Sequence, residues 1–497
     1  MGALKRLATD TAVYGFSTIT ARLINYLLVA YHTRVLGTEQ YGVFTEFYSY
    51  ITLLLVLLTY GMETGFFRFA SRPDQQPDKV FSTSLICLLS TSCLFLGFIL
   101  CNTSSVASWM GYPNNTNYVA QLAAVIAIDA FMSIPFARLR LQRRAKTFAL
   151  FKLLNVFFYV GVNVLFFAYL PDYFAQHPDS IGLRLLSANA DVGYVFFANL
   201  LASGFTLLLL LPTVLSVPIR FSTPLLKKML LYSLPLLVAG LPGIANDYID
   251  RVLFKHLMLS SEVMQNLGIY GANAKLAVLM VIFVQMFRYA AEPFFFSNAD
   301  KSNQRALFAD VMKYFVIAAV FIFLVVTLYL DGFALFMGKD FRTGVGIVPI
   351  MLFANLLFGI TFNLSIWYKL SEKTSMAVYI TLTGLTITVL VNVLFVPHFG
   401  YYAAAWAHLL SNIAMVAVSY YLGQKHYPIC YNLRSIGFYI SLGLLLYAGF
   451  VVCNNFCNFA LPLKLTIGTL LLLFYTIIAW RKDGRGLLRV KFHHVVD

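Results

Sequence analysis

Apolar runs recur from one end of the chain to the other, and short polar stretches separate them. Each run has the roughly 20 residues a helix needs to cross hydrocarbon, where no backbone N–H or C=O can be left unpaired. The pattern predicts fourteen helices, at about 10–32, 43–65, 80–101, 118–137, 148–170, 192–216, 229–250, 268–291, 311–330, 346–366, 376–397, 402–422, 435–453 and 460–480. The longest connection is about 20 residues, which leaves no room for a soluble domain. The expected fold class is an all-α polytopic membrane protein. The first run follows Lys5 and Arg6 as a signal peptide would. It is too long, carries Arg22 and lacks a small-residue cleavage site, so it reads as a retained helix.

Composition sharpens this. Of the 497 residues 60% are hydrophobic and 11% charged, against about 25% charged in soluble domains. The net charge of +15 would suit nucleic acid or acidic lipid, but its placement argues for topology. With fourteen helices, the termini and every second loop carry 25 of the 36 Lys and Arg. The alternate loops carry 6, and five lie in or at the edge of helices: Arg22, Lys152, Lys275, Arg288 and Lys464. By the positive-inside rule both termini are expected in the cytoplasm. No nucleic-acid partner is expected. The densest basic loop holds Arg138, Arg140, Arg143, Arg144 and Lys146. The six cysteines have no zinc or redox spacing and read as buried small hydrophobes.

The chain also echoes itself. Val162-Asn163-Val164-Leu165-Phe166 recurs as Val391-Asn392-Val393-Leu394-Phe395, at an offset of 229. Lys146-Thr147 and Lys373-Thr374 are 227 apart, and Gly42 and Gly268 are 226 apart, each at the same place in the helix count. Helices 1–6 and 7–12 therefore read as two parallel six-helix repeats, with two extra C-terminal helices. The expected divisions are an N-terminal lobe at 1–216, a cytoplasmic linker at 217–228, a C-terminal lobe at 229–424, and helices 13–14 with a basic tail at 425–497. Two such lobes rocking about a midplane interface would give alternating access.

Few charges lie inside the apolar runs, and these are the candidates for function. Arg22 and Asp129 fall at similar depth, as an ion pair or as cavity-facing groups. Arg288 shares a helix face with Gln285 and Glu292, and Lys275 lies on another face of that helix. Glu63 and Arg68 close the second helix, where a local salt bridge is expected. Asp250 and Arg251 close the seventh, as an anchor or gate; Pro235 and Pro242 would let that helix bend. The histidines form no motif, and Walker A, HExxH and GxSxG patterns are absent. No catalytic set and no metal or cofactor is expected. Energy would come from an H+ or Na+ gradient, the membrane potential or the substrate gradient.

Several motifs carry a family resemblance. They are Ala21-Arg22, Thr33-Arg34-Val35-Leu36-Gly37 with Tyr41-Gly42, Leu139-Arg140 through Ala145-Lys146, Leu234-Pro235, Asp250-Arg251, Gly268-Ile269-Tyr270 and Gly400-Tyr401-Tyr402-Ala403-Ala404-Ala405-Trp406. In this order they resemble the Wzx-type polysaccharide-unit (O-antigen or capsule) flippases of the multidrug/oligosaccharidyl-lipid/polysaccharide exporter superfamily. The resemblance implies a flippase for undecaprenyl-pyrophosphate-linked oligosaccharide in the bacterial inner membrane, serving surface polysaccharide such as lipopolysaccharide. It implies cavity contacts from Arg22, Lys275 and Arg288, and partners among polysaccharide polymerase, chain-length proteins and membrane lipids. Arg22 matches the central arginine of related lipid II flippases. Leu28 and Val29 stand where those proteins have an Arg-Asp pair, which counts against lipid II as cargo. A cation-coupled drug exporter is the other transport reading, and it would normally lack helices 13–14. A membrane polymerase or ligase would need a large outer loop, and a scaffold would not need Arg22, Asp129 or duplicated halves.

Overall fold

A computed structural model describes residues 19–20, 23–177, 191–258, 261–297, 303–371, 373–457 and 459–492. The described residues form helices and no strand. We number the helices α1 (residues 23–35), α2 (Thr38–Ala70), α3 (Pro77–Cys101), α4 (Thr116–Leu141), α5 (Ala145–Gln176), α6 (Val192–Leu215) and α7 (Thr223–Leu257). Then follow α8 (Val263–Leu276 and Val278–Ser297), α9 (Gln304–Leu328), α10 (Lys339–Leu370), α11 (Met376–Phe399), α12 (Tyr401–His426), α13 (Leu433–Cys457) and α14 (Leu461–Phe492). Among the described residues twelve helices are long and apolar enough to span a membrane, or thirteen with the bent α8. The chain is a multi-pass membrane protein. The expected first span, 10–32, is described only at residues 19–20 and 23–32, which is where the count departs from fourteen.

The chain divides into two compact units, residues 1–268 and 269–497. This division follows packing and falls after α7, whereas the sequence repeat divides before it. In the first unit α4 packs on α2, α3 and α6, and α7 lies along α2 and α3. In the second, α12 packs on α10 and α11, and α9 packs on α10, α13 and α14.

Two close approaches fix the first unit. A Cβ on Gly42 would lie 1.9 Å from the Met264 carbonyl oxygen, and a Cβ on Gly268 would lie 1.9 Å from that of Thr38. Met264 precedes Gly268 by one helical turn, as Thr38 precedes Gly42, so the contact is reciprocal. Only glycine lets the two backbones meet there. At the other end of α2 the chain turns through Tyr60 (φ 34°) and Gly61 (φ 69°). There a Cβ on Gly61 would lie 2.9 Å from the Ser233 carbonyl oxygen of α7.

The repeated pentapeptide also acts alike in both places. Asn163 and Asn392 are fully buried, and each donates Nδ2–H to the carbonyl four residues back at 2.7 Å. After Asn163 the helix passes through a π-turn at Leu165–Tyr169.

α7 runs as one helix through both Pro235 and Pro242. α8 bends by 42° at its break between Leu276 and Val278, where no proline stands. At its break the Ala277 carbonyl accepts the Met280 N–H at 3.2 Å and, also at 3.2 Å, Asn355 Nδ2 from α10.

α14 is tied to α9, to the short helix Leu330–Ala334 that follows it and to α13. Asp483 takes Lys313 at 3.0 Å and the Tyr439 hydroxyl at 2.7 Å, and Lys464 reaches Asp331 at 2.8 Å. The other faces of α13 and α14 expose Leu445, Phe456, Leu470 and Trp480, an apolar surface suited to lipid. The cysteines are corrected too. All six are free and five are exposed, Cys93, Cys101, Cys430, Cys453 and Cys457, because they lie on outward helix faces or in a loop.

Gly42→Ala or Gly268→Ala should destabilise the protein by roughly 1–3 kcal/mol through overpacking. The double variant should cost less than the sum, because the first methyl already parts the helices. Thermal unfolding in detergent reads both, and unchanged melting would mean that the crossing is dispensable.

Candidate functional site

The interior of the first unit carries a line of polar side chains between apolar helices. Its members come from five helices, so no single amphipathic stripe marks it. His32 of α1 is buried, and its Nε2 meets Asn163 Oδ1 at 2.9 Å. The hydroxyls of Tyr48 (α2) and Tyr159 (α5) lie 3.1 Å apart. Asp129 (α4) accepts from Ser203 Oγ (α6) at 2.8 Å. Lys152 (α5) lies within electrostatic reach of Asp129, Arg140 and Glu63, and its Nζ stands 4.3 Å from the Phe136 ring centroid. Asn155, one turn on, donates to Thr206 Oγ1 at 2.8 Å and the Ala202 carbonyl at 3.1 Å.

Toward the basic end the line meets two ion pairs. Arg140 holds Glu63 at 2.5 Å, and Arg138 holds Asp78 at 3.0 Å. The expected local bridge between Glu63 and Arg68 is thereby corrected. Five residues at 100° each put those two side chains on different faces of the helix. Arg68 instead stacks on the Tyr232 ring of α7 at 3.9 Å.

At the opposite end Glu46, which is 0% exposed, receives the Tyr112 hydroxyl at 2.6 Å and Lys255 Nζ at 3.3 Å. Lys255 also donates to the Met110 carbonyl. This cluster ties α2, α7 and the turn before α4 together. Burial first, then the Glu46 carboxylate, push the Tyr112 phenol well above its usual range, so it stays a donor. Nearby Asp250 and Arg251 are paired at 3.7 Å, with Arg251 also donating to the Asp247 carbonyl at 2.6 Å.

Lys275 and Arg288 belong to the second unit. Lys275 is exposed in the last turn before the α8 bend. Arg288 is exposed and 3.8 Å from Glu292, which also takes Lys369 at 2.7 Å. The shared face expected for Arg288 and Glu292 is therefore present. Arg22 lies outside the described residues. Glu46, Lys255 and Tyr112 were missed because each is ordinary in its own stretch and they meet only across three segments. His32 and Asn163 were legible as polar residues in apolar runs. Among the described residues no three His, Cys, Asp or Glu side chains gather as a metal site.

Comparison with known proteins follows the same lines. A sequence model of the polysaccharide biosynthesis proteins matches residues 7–299. Lsg locus putative protein 1 of Haemophilus influenzae is 21% identical over 289 residues, 58% of this chain and 65% of that protein, so less than two thirds of its length is matched. The inward closed conformation of the lipid II flippase MurJ has a similar fold, with TM-score 0.67, 13% identity and coverage of 95% of this chain and 99% of that one. An inward-facing multidrug resistance MATE family transporter of the MOP superfamily gives TM-score 0.66 at 15% identity, covering 82% and 94%. At these identities the structural likeness is one of fold.

Removing one partner of a buried ion pair strands the other charge, whereas removing both does not. Lys255→Met should therefore destabilise by about 3 kcal/mol. Adding Glu46→Gln should restore a large part of that loss. A double-mutant cycle on thermal unfolding would detect this, and simple additivity would argue against coupling.

Proposed function

Because this chain belongs to the polysaccharide biosynthesis protein family, we propose that it is a flippase carrying a lipid-linked oligosaccharide across the bacterial inner membrane. The observation that carries the reading is the interior polar line. Asp129, Lys152, Tyr48, Tyr159 and Asn155 sit within membrane-spanning helices, where uncompensated polarity is costly and marks a pathway. A pore-lining role suits a sugar-phosphate head group, with hydroxyl and amide groups for the sugar and cations for the pyrophosphate. The undecaprenyl tail would stay in lipid, along the apolar faces of helices such as α13 and α14.

In this proposal the basic end faces the cytoplasm and loads the head group. Arg22, Lys275 and Arg288 remain proposed phosphate contacts, Arg22 on the strength of the family resemblance. Asp129 and Lys152 are the groups through which an H+ or Na+ gradient or the membrane potential would act. Glu46, Tyr112 and Lys255 would hold the opposite end closed until the cycle turns. The family and fold neighbours are named for biosynthesis and transport, in keeping with a non-enzymatic role.

Asp129→Asn and Lys152→Met should each slow translocation of a fluorescent polyprenyl-pyrophosphate sugar in proteoliposomes by about tenfold or more, equal to about 1.4 kcal/mol on the barrier. Arg22→Ala should abolish surface polysaccharide while the protein still inserts. Normal polysaccharide in all three variants would sink the assignment.

A further inference from the structure

A second feature of the first unit lies outside the polar line. At the basic ends of α4, α5 and α6 a cleft of about 390 Å³ is lined by Arg138, Gln142, Arg144, Thr147, Thr213 and Ser216, with an apolar wall that includes Phe151 and Leu209. This volume lies within the usual range of small-ligand sites.

Three observations point to an anion. Arg138 is only 9% exposed, its Nη2 is engaged by Asp78, and its guanidinium is clamped 4.4 Å above the Phe81 ring. Its Nη1 is buried with no hydrogen-bond partner. A buried guanidinium N–H left unmade is costly, and a ligand oxygen would satisfy it. The N-terminus of α5 also meets this cleft. Its N-cap residue Arg144 makes no side-chain cap, so the first-turn N–H groups near Thr147 lack that partner. The segment 138–146 carries five cations. The carboxylates paired with them are Asp78 and Glu63.

The surroundings point to a lipid. Leu150 on α5 and Leu208, Leu211 and Leu215 on α6 are exposed beside the cleft. The cleft therefore joins polar donors to a flank that faces hydrocarbon, and an amphiphile matches both. We propose that it holds the phosphate of an anionic phospholipid from the leaflet at the basic end. Arg138 and Arg144 take its oxygens, and an acyl chain follows the leucine flank. The site does not rest on the transport reading, although Arg138 also stands where the interior line meets the basic end.

The test is native mass spectrometry of the full-length protein titrated with dioleoylphosphatidylglycerol, dioleoylphosphatidylcholine, undecaprenyl pyrophosphate or inorganic phosphate. Phosphatidylglycerol should bind in preference to phosphatidylcholine. Arg144→Gln, which changes an exposed side chain, should weaken it roughly tenfold. Arg138→Lys keeps the charge beside Asp78 and removes the unpartnered Nη1, and should weaken it similarly. Melting in phosphatidylcholine separates ligand loss from unfolding, and the exposed Arg144→Gln variant should match the parent there. Equal phosphatidylglycerol affinity in parent and both variants would overturn the site. So would variant-sensitive binding of undecaprenyl pyrophosphate alone or of inorganic phosphate alone, since neither is a phospholipid.

Discussion

Hydrocarbon supplies no hydrogen bonds, so each polar group inside this bundle has to find its partner within the protein or in a water-filled path. Much of the first unit follows from that constraint. Asp129 takes Ser203, Asn155 takes Thr206, and His32 takes Asn163. Glu46 draws in both Lys255 and Tyr112. Each bond joins separate segments, most of them two helices, so satisfying the polar groups also sets which helices are neighbours. The apolar majority of the surface adds little such direction, because lipid tails are as apolar as leucine.

Backbone proximity is the second constraint, and it works with the first. The Gly42 and Gly268 crossing brings two helix starts together without side chains between them. Within a few turns of it lies the Glu46 cluster, where Lys255 and Tyr112 close over α2. The far end of α2 meets α7 again at Gly61 and Ser233, with Arg68 over Tyr232. α7 is thus held along its length by contacts of different chemistry. Its two prolines are tolerated because neighbours and environment, as well as its own ladder, fix its path.

The basic end has a different character. There the arginines are shared between structure and exposure: Arg138 and Arg140 are paired, while Arg144 is open. Charge placed this way both anchors helices at an interface and leaves a cationic rim. The interior line and this rim lie along the same helices, α4 and α5, at different depths. Asp129 and Arg140 are separated by about 16 Å of helix at 1.5 Å per residue.

The sequence by itself determined the class of the molecule, the places of its helices and the sidedness of its charge pattern, because length and hydropathy are local and hydrocarbon selects on them directly. It also marked Asp129, the repeated asparagines and the Gly42–Gly268 correspondence, since a polar or missing side chain stands out in an apolar run. Only the tertiary structure decided who pairs with whom. Glu63 chose Arg140 over Arg68, and Glu46 chose Lys255, some two hundred residues away. The bend in α8 was equally hidden, for no proline stands at its break, where Asn355 of another helix meets the Ala277 carbonyl. Such choices rest on the relative placement of helices, which periodicity along one chain does not encode.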